Sequence, residues 1–176
     1  MAMCPAERKR RGAVSAKEIV TMALCAALLL VAQVALAPLP NIELVSLLVV
    51  LYTLFFRWRT LFILYAFVLL EGLLYGFGLW WINYLYVWTA LWAAAMLLYR
   101  MRGAAGWVLL LAGYGLLFGF LCSFVYLFAG GPKAAFGYFI SGIPFDLAHC
   151  AGNAVIGAVL FRPLRKLFTR FMPGVS

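Results

Sequence analysis

Apolar residues along this chain gather into six runs, at about 16–36, 42–56, 60–79, 84–99, 106–129 and 134–161. Short breaks separate them: Pro38-Leu39-Pro40-Asn41, Arg57-Trp58-Arg59, Trp80-Trp81-Ile82-Asn83, Arg100-Met101-Arg102-Gly103 and Gly130-Gly131-Pro132-Lys133. Within the runs there is no apolar–polar alternation of the kind an outer-membrane strand needs. Hydrocarbon offers no partner for open backbone groups, so each run is predicted as a helix. Most approach the roughly 20 residues that cross a bilayer. The pattern predicts an all-α membrane protein, a six-transmembrane-helix bundle.

Charge orients that bundle. Thirteen of the 14 Lys and Arg residues lie before or at the very start of the first run, in every second break, or after the last run. Arg8, Lys9, Arg10, Arg11 and Lys17 come first, then Arg57 and Arg59, then Arg100 and Arg102, then Arg162, Arg165, Lys166 and Arg170; only Lys133 occupies an alternate break. Cytoplasmic loops retain Lys and Arg, which places both termini in the cytoplasm of a cell with this protein in its cytoplasmic membrane. The organisation expected is a basic tail over 1–15, a membrane domain over 16–162 and a second basic tail over 163–176. Ala35-Leu36-Ala37 mimics a signal-peptide cleavage site, but Pro38 follows it directly and more spans come after, so the first run reads as a retained helix.

Composition narrows the classes further. With 68% apolar and 11% charged residues the chain is no ordinary soluble domain. The net charge of +9 flanks the spans, where it meets anionic headgroups, rather than forming a nucleic-acid surface. The four cysteines show no CxxC spacing, and neither a zinc site nor a disulfide framework is expected.

The polar groups inside the runs are few and fall near the predicted outer side. Glu43 opens the second run and Glu71 lies in the outer half of the third; Asp146, His149 and Asn153 stand at i, i+3 and i+7 on the sixth, and Gln33 near the end of the first. An ionisable residue within a span is a candidate functional residue. Around this set lie Tyr75, Phe77, Trp80, Trp81, Tyr84, Tyr86 and Trp88, with Tyr126, Phe136, Tyr138 and Phe139 on the last two runs. The aromatics read either as an interfacial belt or as the lining of an outward cavity for a small planar ligand. Asp146 and His149 read either as a buried pair locking one helix to another or as ligand contacts. Small residues at helical spacing, Ala23 with Ala27, Gly72 with Gly76 and Gly115 with Gly119, permit close helix approach.

Catalysis finds little support. His149 is the only histidine, Ser141-Gly142 lacks a GxSG element, and no GxxxxGK[ST] loop is present, so neither enzyme activity nor a cofactor is expected.

The Ala-rich first helix with Ala23-Leu24-Cys25-Ala26-Ala27, the Pro40-Asn41-Ile42-Glu43-Leu44-Val45 turn, Glu71-Gly72-Leu73-Leu74-Tyr75-Gly76-Phe77-Gly78 and Ser141-Gly142-Ile143-Pro144-Phe145-Asp146 together resemble the substrate-binding S-component of an energy-coupling factor (ECF) transporter. The resemblance extends over the whole chain in length and topology. It implies capture of a vitamin or related micronutrient from outside, docking on a membrane coupling subunit that carries two cytoplasmic ATPases, and delivery by reorientation within the bilayer. It places docking on Ala23 and Ala27 with neighbouring Ala26. It favours Asn83, Tyr84, Trp88, Tyr126, Tyr138, Asp146, His149 and Asn153 as pocket residues, to which the depth pattern adds Glu43, Glu71, Tyr75 and Trp81. The excess of acids over the lone outer Lys133 favours a neutral or cationic ligand. The rings favour a flat heteroaromatic body, such as a thiamine-like, pyrimidine, deazapurine or flavin-type compound. Two other readings stand beside it: a structural membrane scaffold resembling the cell-shape protein MreD, and a solute carrier acting alone.

Overall fold

The computed structural model describes residues 14–39 and 41–171, and all regular structure among them is helical. The basic cluster at 8–11 and Pro40 lie outside the described residues. The helices are α1 (Ala16–Leu36), α2 (Val45–Phe56), α3 (Thr60–Tyr75) and α4 (Leu79–Leu97), with a 3-10 turn at Arg57–Arg59. The remaining helical stretch, Ala104–Phe171, is broken at Gly131, whose backbone (φ 78°, ψ −177°) is not helical. It therefore divides into α5 (104–130) and α6 (132–171).

Three segments are long and apolar enough to cross a membrane: Ala16–Leu36, Val45–Tyr75 and Ala104–Phe171. The outside of the bundle agrees, because its exposed positions are apolar: Leu97 is 84% and Phe128 88% accessible, and Leu24, Leu73 and Leu109 are exposed too. In water such a surface would drive association; in hydrocarbon it costs nothing. The protein is membrane-embedded.

α2 forms the centre. Every residue from Val45 to Thr53 is buried, as is Phe56. It packs on α4 and on the α5–α6 stretch, while α1 lies chiefly against α3. α1 buries one stripe, Met22, Cys25, Ala26, Leu29 and Ala32, and turns its other faces outward. Its start is fixed by a reciprocal cap in which the Ser15 hydroxyl accepts from the Glu18 backbone N–H and the Glu18 carboxylate accepts from the Ser15 N–H. The same carboxylate pairs with Arg59, joining the start of α1 to the 3-10 turn.

Several boundaries differ from the sequence expectation, each for a local reason. α3 stops at Tyr75 because Gly76 (φ 84°) takes a conformation open to glycine. Trp80-Trp81-Ile82-Asn83, expected as a loop, instead forms the first turn of α4, where the Trp81 indole N–H donates to the Val68 carbonyl at 2.8 Å. At the other end, Arg162-Pro163 does not end the last helix. Residues 163–171, expected as a tail, continue α6, because Phe168 is buried against Tyr52 and Phe55, each ring pair 5.6 Å apart. That packing offsets the hydrogen bond that Pro163 cannot donate.

α5 and α6 meet at unusually short range. A Cβ added to Gly115 would lie 2.8 Å from the His149 carbonyl carbon, and one on Gly119 would lie 2.5 Å from the Asp146 carboxylate. Only glycine lets the backbones come this close. The Gly72–Gly76 pair works differently: Gly72 makes room for Phe77 and Trp81, while Gly76 is the turn.

Candidate functional site

The connection between α1 and α2 roofs a cavity of about 160 Å³. Gln33, Leu36, Ala37, Leu39, Asn41, Ile42 and Glu43 line it from the connection and the end of α1. Tyr84 and Trp88 come from α4, Phe118 from α5 and His149 from α6. Asn41 holds the connection in shape with a positive φ of 59°, a conformation Asn tolerates better than most residues. Its carbonyl sits so near α6 that a Cβ on Gly152 would be 3.1 Å from it. This close seat brings Glu43 down onto His149.

Glu43 is 9% exposed and uses its two oxygens differently. Oε1 accepts from the Ser46 backbone N–H at 3.3 Å and from the Ser46 hydroxyl, satisfying donors in the first turn of α2. His149 Nε2 stands 3.0 Å from the same oxygen. Facing a carboxylate, that nitrogen is the donor, which leaves Nδ1 as the acceptor in a neutral ring. Oε2 is buried and has no hydrogen-bond partner among the described residues. The indole N–H of Trp88, a residue only 2% exposed, is likewise without a partner. An unpaired buried polar atom costs on the order of 1–3 kcal/mol, and both atoms belong to residues that line one cavity, each covered so that a small side-chain rotation is needed to bring it to an occupant.

Rings make the rest of the wall. Trp88 meets Tyr84 edge-on at 5.5 Å and Phe118 at 5.8 Å, and Phe118 meets His149 at 5.0 Å. Gln33 Nε2 donates to the Tyr84 hydroxyl across 3.4 Å, a long bond that links the end of α1 to this wall.

Four of the residues expected from sequence, Glu43, Tyr84, Trp88 and His149, thus meet in one cavity. The others lie elsewhere. Asp146 Oδ1 accepts from the Gly119 backbone N–H at 2.8 Å, and Asn153 donates to the Leu111 carbonyl at 3.3 Å, so both bind α6 to α5. Asn83 Oδ1 lies 2.8 Å from the Tyr86 hydroxyl, which also reaches the Leu121 carbonyl at 2.7 Å. Glu71 is buried on α3, with Oε1 unpartnered, outside the cavity lining. Trp81 is held by Val68, Tyr75 is exposed at the end of α3, and Tyr126 stacks on Tyr138 at 4.1 Å between α5 and α6. Of the expected docking residues, Ala23 and Ala27 are exposed on α1, but Ala26 is turned into the core.

Asn41 and Phe118 are among the cavity residues that reasoning from sequence did not select, with the apolar Leu36, Ala37, Leu39 and Ile42. Phe118 sits inside an apolar run, and its only signal is the i, i+4 spacing from Tyr114. Asn41 carried a signal in standing beside Pro40 two residues before Glu43. No family model, no curated protein and no solved structure significantly matches this chain.

Proposed function

We propose that this protein is a substrate-capturing membrane subunit of the ECF S-component type. In this reading it crosses the bacterial cell membrane six times with both termini inside, takes a small micronutrient from the outer face, and delivers it through partner ATPases rather than by catalysis of its own. The observation that carries the reading is the cavity beneath the α1–α2 connection, with Glu43 Oε2 and the Trp88 indole N–H both buried and unpaired. The exposed Ala23 and Ala27 on α1 add a smooth face for a coupling subunit.

Size and chemistry narrow the ligand. A dry cavity of about 150 Å³ accommodates benzene, so one of this volume holds roughly one aromatic ring. Rotated toward the cavity, Glu43 Oε2 would take a donor on the ligand and the Trp88 N–H an acceptor. An aminopyrimidine-like ring offers both within a single plane and presents its faces to Tyr84, Trp88 and Phe118. Among the compounds considered from sequence, the single-ring pyrimidine class fits best.

Tryptophan fluorescence of the purified protein, titrated with a panel of one-ring heteroaromatic vitamins and nucleobases, tests this. One compound should quench saturably, and Trp88→Phe should bind it about fivefold more weakly while remaining folded. Absence of any saturable ligand would favour the scaffold reading. Uptake into vesicles containing this chain alone would favour the solitary carrier. Replacing Ala23 and Ala27 together by Trp separates docking from capture: ATP-driven uptake should stop with ligand affinity retained.

A further inference from the structure

At 1.5 Å per residue, segment 132–171 is roughly 60 Å long, about twice the hydrocarbon thickness, so part of α6 must project beyond it. The part rich in charge is its C-terminal end. There Arg162, Arg165 and Lys166, together with Arg102 from the α4–α5 connection, line a groove of about 510 Å³ floored by Phe161. No acidic side chain lines it, and among the described residues none of these four cations has a carboxylate partner. Arg57 and Arg100 are different: both guanidiniums sit against the Tyr99 ring, Arg57 at 3.8 Å.

A second groove of about 510 Å³ adjoins the first through Ala104 and Arg162, which line both. Its walls are Ala105, Val108 and Leu109 from α5 and Ala158 from α6. A cationic groove therefore runs directly into an apolar one along the same helix pair.

We propose that these joined grooves bind an anionic phospholipid, with the phosphate among Arg102, Arg162, Arg165 and Lys166 and an acyl chain along Ala105, Val108 and Ala158. The charge complementarity is one-sided: four like charges crowded together repel one another, and an anion relieves that repulsion. The adjoining apolar groove selects a lipid over a free phosphate, since a soluble anion leaves that half empty. Bound there, the lipid bridges the α4–α5 connection and the end of α6, holding the projecting helix at the headgroup level. This site is separate from the α1–α2 cavity and does not depend on what that cavity holds.

The test uses the full-length protein in a neutral detergent, titrated with dioleoyl phosphatidylglycerol, dioleoyl phosphatidylcholine or inorganic phosphate. Retained lipid is read by native mass spectrometry and stability by thermal unfolding. Phosphatidylglycerol should bind at least tenfold more tightly than phosphatidylcholine and raise the melting temperature, whereas phosphate should do neither at equal concentration. The combined variant R162Q/R165Q/K166Q should lose the preference. Ala158→Trp, which fills the chain groove and keeps every cation, should weaken phosphatidylglycerol binding. R57Q/R100Q removes two charges outside the groove and should leave the preference intact. Equal binding of the two lipids, stabilisation by phosphate that matches phosphatidylglycerol, or loss of preference in R57Q/R100Q but not in the groove variant would overturn the proposal.

Discussion

His149 and its neighbours Asp146 and Asn153 share one face of α6, yet the two sets do opposite things. Asp146 and Asn153 reach the backbone of α5, at Gly119 and Leu111. They close a seam that is tight at Gly115 and Gly119, while Asp146 Oδ2 stays buried without a partner and Asp146 also borders a separate groove with Leu116, Phe120 and Ile143. His149 instead meets a side chain from the α1–α2 connection, and beside that contact lies a cavity whose lining residues Glu43 and Trp88 each carry a buried, unpaired polar atom. The difference lies in what each polar group faces. Where the partner is a backbone at close range, the group is structural; where it is a loop carboxylate held over a void, the arrangement has capacity left for something else.

That comparison breaks most sharply at the seam. Gly115→Val pushes a side chain into the His149 backbone and should destabilise the protein by about 3 kcal/mol, lowering its thermal unfolding temperature by several degrees. An unchanged melting temperature would mean the seam is looser than its geometry. Next comes Glu43→Gln, which keeps the shape of the roof but replaces the carboxylate with an amide. Ligand affinity should fall by about 2 kcal/mol, roughly thirtyfold, in a calorimetric titration. Trp88→Phe keeps the ring and deletes the donor, and its cost in the same titration should be about 1 kcal/mol. Asp146→Asn keeps an oxygen for the Gly119 N–H and lies outside the cavity lining. It should leave ligand affinity within twofold, and a larger loss would merge the two regions into one site. Gln33→Leu removes only a long bond to Tyr84 and should change affinity by less than about 0.5 kcal/mol.

The helical character of the chain was legible because its apolar runs are long and four of the five breaks carry Pro, Gly or Arg. The helix ends were less so. Trp80 and Trp81 look like an interfacial loop, and only the Trp81 bond to Val68 explains their place inside α4. Pro163 looks like a stop, and only the burial of Phe168 under Tyr52 explains why α6 continues. At the site, the shared face of Asp146, His149 and Asn153 followed from helical spacing. Which of them would face a void did not, since that depends on how α5 and the α1–α2 connection pack. Glu43 and His149 are separated by 106 positions, and nothing local to either announces the other.

The central claim is that the space beside Glu43 and Trp88 holds a small ligand. Native mass spectrometry of the protein taken gently from its host membrane, alongside Glu43→Gln prepared the same way, tests it most directly. The account predicts a compound of one-ring size released on unfolding from the parent protein and lost or strongly reduced in the variant. A parent protein that releases no such compound and binds none from a micronutrient panel would contradict the account, as would a compound retained equally by both.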